Sequence, residues 1–297
     1  MSAVTGPSAA MEMVQPLSWA DALREKAERP GLLPIAGGTD VMVELNFDRR
    51  RPAGLLDLTR VPELASWSVE DGVVRLGAGV TYTQVMADLA DLLPGLAAAS
   101  RTVGSPQIRN RGTVAGNLAS ASPAGDAHPP LLACGATVVL ESVRGRRDVP
   151  VAEFFTGVKR SVLEPDELIR AVLVPVAAGP QQFSKIGTRN AMVIAVASFG
   201  LALDAGSRRV GTGIGSAAPT PRTAPDAEDL ASAELDWDGG TEPDADVVRR
   251  FGELVAQAAD PIDDVRGSAA YRRHALAVLA RRTLGWAWAD YRRGRAA

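Results

Sequence analysis

Two short glycine-containing segments carry the residues best suited to holding a ligand. They are AGGTD at 36–40 and TVAGN at 113–117. Small residues let the backbone come close to a ligand and turn its amides outward, while Thr, Asp or Asn adds a side-chain hydrogen-bonding group. If the element after Asp40 is a helix, its N-terminal amides favour an anion such as a pyrophosphate. Taken singly, each segment is better explained as a tight turn.

Other residue types that often carry chemistry have simpler interpretations here. Gly211, Gly213 and Gly215 follow the spacing G-x-G-x-G inside a strand-like run, whereas a nicotinamide fingerprint needs G-x-G-x-x-G between a strand and a helix. They predict a flexible strand, or one that another backbone approaches closely. His128 has no second histidine or cysteine at ligand spacing, so it is interpreted as a loop or helix-start residue, and no metal site is predicted. Cys134 lies in an apolar run and is predicted to be a small core residue.

The composition restricts the class of protein. The chain has 297 residues, 46% of them hydrophobic, with a net charge of -3 and a pI near 5.6, so no basic surface predicts a nucleic-acid partner. No apolar run is long enough to cross a bilayer, and the first residues lack a signal-peptide pattern, which predicts a cytoplasmic protein without membrane insertion. The single cysteine excludes an internal disulfide, a zinc ribbon and an iron–sulfur cluster held by this chain alone.

A helix, a strand and a second helix are expected around the first glycine segment. Ser18 and Asp21 resemble a capping box and open a helix that ends at Pro30. LLPIA is then a short buried strand, the glycine pair interrupts it, and VMVELN begins the next element, which is predicted to be helical. Further on, Asp71 and Gly72 mark a hairpin turn between two β-rich runs.

The middle of the chain is predicted to be rich in strands. Thr81 opens a helix that runs to about Ala90, and residues 92–130 are predicted to be loop-rich. Strands follow around Val138 and Val149, and again at LIRAVLVP, MVIAVASFGLAL and RRVGTGIG.

The end of the chain is predicted to be helical. The AAGPQQ segment near 177–182 is the predicted domain boundary, because it is short and separates two strand-rich blocks. Helices predominate from Ala224 onward, and the last one runs from about Ser268 to Arg293. Its predicted packing face consists of Tyr271, Ala275, Val278, Leu279, Leu284 and Trp286.

A family resemblance rests on six motifs in a fixed order. The segment VGSPQIRNRGTVAGNLASASPAGDAHPPLLACGATVVLES resembles the flavin-binding stretch of the FAD subunits of molybdenum hydroxylases, the xanthine dehydrogenase and carbon monoxide dehydrogenase family. The resemblance covers nearly the whole chain. Its matched motifs are the AGGTD loop at 36–40, the T-x-G-G-N type loop at 113–117, S-P-x-x-D at 122–126, F-F-x-G with L-x-x-x-E-L at 154–168, K-x-x-x-R at 185–189 and D-x-R-G-S-x-x-Y-R-R at 264–273.

The resemblance implies an α+β fold in two domains. Residues 1–178 would form an FAD-binding domain of the PCMH or vanillyl-alcohol-oxidase type, with subdomains at about 10–65 and 66–178. Residues 183–297 would form the small C-terminal domain, with an antiparallel sheet and a helical bundle.

The resemblance also implies a noncovalent FAD. Both glycine loops would cradle its pyrophosphate and ribityl, Asp126 would bond to cofactor hydroxyls, Leu168 would pack beside the isoalloxazine, and Lys185 would lie near the flavin. The implied cofactor-binding positions are Pro34, Ile35, Ala36, Gly37, Gly38, Thr39, Asp40, Val41, Val103, Thr113, Val114, Ala115, Gly116, Asn117, Asp126, Leu168 and Lys185.

Two of these positions, Lys185 and Ala115, allow more than one interpretation. A fixed cation at Lys185 would stabilise an anionic reduced flavin, but the residue type is also typical of a solvated lysine on an edge strand. Ala115 departs from the family, which usually has glycine at this place in the second loop. Its methyl group is tolerated if the backbone has negative φ and crowds the cofactor if it does not.

The function implied by the resemblance is that of an electron-transfer subunit without catalytic side chains of its own. It would take electrons from 2Fe-2S clusters of a small partner subunit and pass them to NAD, oxygen or a quinone, while the molybdenum cofactor lies in a large partner subunit. A dimer of heterotrimers is expected. Two alternatives stay open: a self-sufficient FAD-dependent oxidase or reductase on the same flavin fold, which needs a substrate cap with a base, and a flavin-free assembly subunit, whose glycine loops should have drifted.

Overall fold

The computed structural model describes residues 11–296. The first glycine loop follows a strand of the first sheet. This sheet is parallel, with strand order β1-β3-β2. Ser18 caps the first helix by accepting a hydrogen bond from the Asp21 amide, as predicted. The elements of this part are β1 (Glu12–Val14), α1 (Trp19–Glu28), β2 (Leu32–Ile35), α2 (Val41–Asn46), β3 (Gly54–Asp57) and two short 3-10 turns at Leu58–Arg60 and Pro62–Leu64.

The second sheet is antiparallel, and the second glycine loop lies among the helices that connect two of its strands. Its strand order is β4-β5-β10-β6-β7. The strands are β4 (Trp67–Glu70), β5 (Val73–Gly77), β6 (Thr137–Ser142), β7 (Gly145–Pro150) and β10 (Leu168–Pro175), and a separate hairpin pairs β8 (Phe155–Gly157) with β9 (Arg160–Ser161). The helices are α3 (Tyr82–Asp88), α4 (Pro94–Arg101), α5 (Pro106–Arg111), α6 (Val114–Ser120), α7 (His128–Ala133) and α8 (Val151–Phe154).

The prediction of a loop-rich region at 92–130 was wrong, because α4 to α7 occupy most of it. These helices are six to eight residues long, too short to display a clear helical period in their apolar residues. Their starts are nevertheless marked. Ser105 and Thr113 cap α5 and α6 with their hydroxyls, and α4, α5 and α7 have a proline in their first turn.

The C-terminal part packs three helices against a third, antiparallel sheet of order β11-β12-β13. The predicted strand MVIAVASFGLAL begins only at Ala197. The elements are β11 (Gln181–Ile186), β12 (Ala197–Asp204), β13 (Arg209–Gly215), α9 (Pro225–Glu234), α10 (Ala245–Ala258) and α11 (Ala269–Ala296). None of the helices within residues 11–296 has both the length and the apolarity needed to span a membrane.

The predicted packing face of the last helix was wrong at both ends. Tyr271 is 48% exposed and Trp286 is 51% exposed, whereas Trp288 is completely buried. The buried positions instead follow one another at alternating spacings of three residues and one. They are Arg272, Ala275, Leu276, Leu279, Ala280, Thr283, Leu284, Ala287 and Trp288. This face follows the helical period of 3.6 and includes the predicted Ala275, Leu279 and Leu284, whereas Tyr271 and Trp286 lie outside it.

The glycine-rich strand β13 of the third sheet lets helix α7 approach it closely. Helix α7 lies across this strand: a β-carbon built on Gly213 would stand 2.0 Å from the Pro129 carbonyl oxygen, and one on Gly211 would stand 2.0 Å from that of Ala133. This confirms that these glycines serve a close backbone approach. Along the chain, residues 58–66 connect the strands of the first sheet to those of the second, and residues 176–180 connect the second sheet to the third. The domain boundaries at 178 and 183 remain a proposal.

Candidate functional site

The two glycine segments lie together, although more than seventy residues separate them in the sequence, and they line a cleft of about 450 Å³. That volume is within the range of small-molecule and cofactor sites. A β-carbon built on Gly37 would stand 1.9 Å from the carbonyl oxygen of Arg111, so the first loop touches the backbone just before the second. Ser120 donates a hydrogen bond of 2.8 Å to Asp40, which ties α6 to the first loop.

Each loop takes its shape from its own residues. Gly38 has a φ of 76°, a conformation that glycine adopts without steric cost, and α2 begins three residues later. Thr113 caps α6 by accepting a hydrogen bond of 2.9 Å from the Gly116 amide, and Ala121 ends the helix with a φ of 44°. Both loops therefore lead directly into a short helix.

Most of the predicted site residues line this cleft. The lining includes Pro34, Ala36, Gly37, Gly38, Thr39, Asp40, Val41, Val103, Thr113, Gly116 and Asn117. The other predicted positions do not line it: Ile35 is partly buried, while Val114, Ala115 and Leu168 are core residues. Asp126 and Lys185 form a separate buried pair. The geometry thus brings the loops together, and the individual contacts to a cofactor remain predictions.

The Asp126–Lys185 pair joins the loop before α7 to strand β11 of the C-terminal part. Lys185 donates a hydrogen bond of 2.6 Å to Oδ2 of Asp126 and one of 3.1 Å to the Thr102 carbonyl, and the two charged side chains are only 7% and 11% exposed. The interpretation of Lys185 as a solvated lysine was therefore wrong. Burial raises the pKa of Asp126, and the Lys185 ammonium partly offsets that rise.

The family is settled by the match of the chain to two family models. Residues 9–177 match the FAD binding domain in molybdopterin dehydrogenase, and residues 182–287 match the CO dehydrogenase flavoprotein C-terminal domain. The chain belongs to the FAD-binding subunits of the molybdenum hydroxylases. As such it is a component of an oxidoreductase.

Individual relatives agree with this assignment. The FAD subunit is 31% identical over 281 residues to the xanthine dehydrogenase FAD-binding subunit of Escherichia coli, covering 89% of this chain and 91% of the relative. It is also 31% identical over 255 residues to the nicotine 6-hydroxylase medium subunit of Paenarthrobacter nicotinovorans, covering 84% and 87%. A solved carbon monoxide dehydrogenase from Hydrogenophaga pseudoflava matches with a TM-score of 0.87 and 27% identity, covering 95% of this chain and 98% of that one. The predicted α+β fold class is confirmed.

Several residues of the cleft in this FAD subunit were missed by the sequence reasoning. Lys26 is 5% exposed, donates hydrogen bonds of 2.6 Å and 2.8 Å to the Pro30 and Leu32 carbonyls, and has a pKa lowered by burial. The helical period that buries Ala22 and Leu23 also places Lys26 on the buried face, so a charge on that face was the available signal.

Three charged side chains around the cleft are paired with one another. Glu44 of α2 accepts from Lys159, and Arg50 stands 3.6 Å from the same carboxylate. The hydrogen bond from Lys159 is the largest of the causes that lower the pKa of Glu44. Because these two cations have a carboxylate partner, an anionic ligand in the cleft would depend more on backbone amides than on these side chains.

A turn at residues 162–167 lines one side of the cleft and is held in place by hydrogen bonds from strand β7. Arg147 of β7 donates two hydrogen bonds of 2.7 Å to the Glu167 carboxylate and a third of 2.7 Å to the Val162 carbonyl. The hydrogen bonds from Arg147 to the carboxylate are the largest of the causes that lower the pKa of Glu167. Leu163, Glu164 and Pro165, which line the cleft, are thereby fixed in place.

His128 supports the second glycine loop from behind. It begins α7, as predicted, and its ring is buried beside Phe155 with a centroid distance of 4.6 Å. The Nε2 atom lies 3.1 Å from the Asn117 carbonyl oxygen. Burial lowers the pKa of His128 to about 4, so the neutral ring is the form that the fold accommodates.

We expect His128 to make the apoprotein less stable in acid. In the unfolded chain its pKa is about 6.5, so the unfolded state takes up a proton at a higher pH than the folded state does. The contribution of the neutral ring is therefore complete above about pH 6.5 and is lost as the pH falls towards about 4. Urea midpoints measured across this window should fall for the wild type and fall less steeply for His128→Gln. Parallel slopes for the two proteins would contradict the assignment.

Ala115 replaces a family glycine without distorting the second loop. It is the second residue of α6, its φ is not positive, and its methyl group is buried. We expect Ala115→Gly to lower the free energy of unfolding by about 2 kcal/mol through lost helix propensity and lost burial, with unchanged FAD affinity. Ala119→Gly, at an exposed position of the same helix, should cost only about 1 kcal/mol. Tighter FAD binding by Ala115→Gly would show that the methyl group crowds the cofactor.

Proposed function

We propose that this FAD subunit holds one noncovalent FAD in the cleft and relays electrons from a partner subunit to an external acceptor. The observation that carries the proposal is the meeting of the two glycine loops, which gives a cleft with backbone along its sides. A cofactor is also favoured by a buried polar atom beside it, because the Tyr82 hydroxyl has no hydrogen-bond partner within residues 11–296.

In this proposal the loops at 36–40 and 113–117 bind the pyrophosphate and the adjoining ribityl through the backbone. Asp126 is the acceptor for cofactor hydroxyls, since its Oδ1 atom is buried without a donor in the part of the chain that the structure describes. Lys185 is a fixed cation whose field favours negative charge on the flavin side of the site, and Leu168 provides apolar packing there. FAD itself supplies the redox chemistry when bound.

We also propose that the subunit works beside a 2Fe-2S small subunit and a molybdenum-cofactor large subunit, as a dimer of heterotrimers in the cytoplasm. Relatives named as a medium subunit, a medium chain and a subunit of a dehydrogenase complex support the partners. The chain cannot hold a cluster by itself, because Cys134 is its only cysteine, and burial raises the pKa of that thiol to about 12.

The partner claim is tested by purifying an affinity-tagged full chain from its native cells. Flavin, iron and molybdenum should copurify in constant ratio through a sizing column. The isolated, FAD-loaded chain should then oxidise none of the substrates that the complex oxidises. Turnover by the isolated chain would instead favour the self-sufficient oxidase, and a chain that takes up no FAD would favour the assembly subunit.

The external acceptor is identified by reoxidation of the reduced protein. The FAD-loaded chain is photoreduced without oxygen and mixed separately with NAD, with oxygen and with a soluble quinone. The physiological class should restore the oxidised flavin spectrum fastest. Equal and slow reoxidation by all three would contradict direct transfer from this subunit to such acceptors.

A further inference from the structure

Tyr82 stands beside the second glycine loop at the start of α3. Thr81, which caps that helix, forms an isolated bridge with Thr113, and the Tyr82 amide donates a hydrogen bond of 3.1 Å to the Gly112 carbonyl. The ring packs on Gly112, where an added β-carbon would lie 3.3 Å from a ring carbon. Tyr82 is therefore fixed by the backbone that leads into the TVAGN loop, and it lines the cleft.

The hydroxyl group of Tyr82 is buried and unpaired. The side chain is 3% exposed, and the hydroxyl has no hydrogen-bond partner in the part of the chain that the structure describes. Of the residues with such an unpaired buried atom within 11–296, Tyr82 is the one that lines the cleft. An unpaired buried hydroxyl is costly, so its place beside a ligand cleft points to a partner on the ligand.

The direction of the missing hydrogen bond follows from the surroundings. Burial and the charges of Asp126 and Asp40 hold the pKa of Tyr82 well above its ordinary value. The phenol therefore keeps its proton and acts as a donor to an oxygen. Two other polar side chains of the cleft already have partners: Lys26 is bound to two carbonyls, and Ser120 is bound to Asp40.

We propose that Tyr82 donates a hydrogen bond to an oxygen of FAD in the stretch between the flavin ring and the adenosine. The acceptor is a ribityl hydroxyl or a phosphate oxygen, since both present an oxygen lone pair. This inference rests on the proposed function, because it needs FAD in the cleft between the two loops. It makes Tyr82 a cofactor-binding residue beyond the two glycine loops.

The test compares Tyr82→Phe with Tyr271→Phe in the full chain. Each change removes one phenol oxygen, but Tyr271 is exposed on α11. Titration of apoprotein with FAD, followed by flavin fluorescence, should give a dissociation constant about tenfold higher for Tyr82→Phe and unchanged for Tyr271→Phe. The thermal midpoint of Tyr82→Phe apoprotein should not fall below that of the wild type, because no protein hydrogen bond is lost.

The two sources of the acceptor oxygen are separated with fragments of the cofactor. A loss of affinity for ADP assigns the bond to the pyrophosphate, and a loss of affinity for riboflavin assigns it to the ribityl chain. Equal FAD affinity of Tyr82→Phe and wild type would overturn the inference while leaving the proposed function intact. A wild-type chain that binds no FAD would instead remove the proposed function itself.

Discussion

A Gly37→Ala variant is expected to bind FAD about a hundredfold more weakly than the wild-type chain. The new β-carbon would stand 1.9 Å from the Arg111 carbonyl oxygen and 2.5 Å from its carbonyl carbon, both of them backbone atoms. A side chain could rotate out of the way, but backbone cannot. The two glycine loops must therefore separate, and amides placed on either side of the cofactor would no longer reach it together.

The matched control for this experiment is Gly31→Ala. Gly31 belongs to the same part of the chain, has no positive φ, and an added β-carbon there would meet nothing within 4 Å. Its FAD affinity should stay within about twofold of the wild type. Affinity is measured by titrating apoprotein with FAD, with far-ultraviolet circular dichroism to show that both variants are folded. Wild-type affinity in folded Gly37→Ala would mean that the contact between the loops does not form the site.

An Asp126→Asn variant should lose about 3 kcal/mol or more in the free energy of unfolding of the apoprotein. The substitution keeps the shape of the side chain but removes its charge. Lys185 would then be a buried cation, 7% exposed, without a carboxylate partner. Because the pair joins the loop before α7 to β11, the loss should also let the C-terminal part unfold before the FAD-binding part in urea.

An exposed ion pair of the same chain provides the comparison. Arg208 and Asp238 lie 2.7 Å apart with side chains 57% and 77% exposed, so Asp238→Asn should change the stability by less than about 0.5 kcal/mol. A double variant, Asp126→Leu with Lys185→Met, should recover much of the stability that Asp126→Asn loses. If Asp126→Asn and Asp238→Asn unfold at the same urea concentration, the buried pair is not the stabilising contact inferred here.

The parts of the site that the sequence predicted are those written in local motifs. Both glycine loops, their order, and the helix after Asp40 follow from short runs of residue types with a direct conformational meaning. The contact between Gly37 and Arg111 could not be predicted, because it depends on how two separate sheets pack. The prediction of function came from the family resemblance, which rests on the order of six motifs. Composition and periodicity indicated only a mixed α and β protein.

The parts that the sequence missed are those where burial overrides residue type. In the sequence, Lys26 is an ordinary helix residue, and Tyr82 is an ordinary residue at a helix start. Only the packed structure shows that each lines the cleft. Lys185 was open to two interpretations until the structure placed it against Asp126. Helices α4 to α7 were missed because they are short, and only their caps and prolines marked them.

The central claim, a noncovalent FAD in this subunit, is tested most directly by an absorption spectrum of the purified chain before and after acid precipitation. We expect a flavin spectrum from the folded protein and FAD released into the supernatant, at one molecule per chain. Chromophore that stays with the pellet would contradict the noncovalent link. Colourless protein that also fails to take up added FAD would contradict the presence of an FAD site in this subunit.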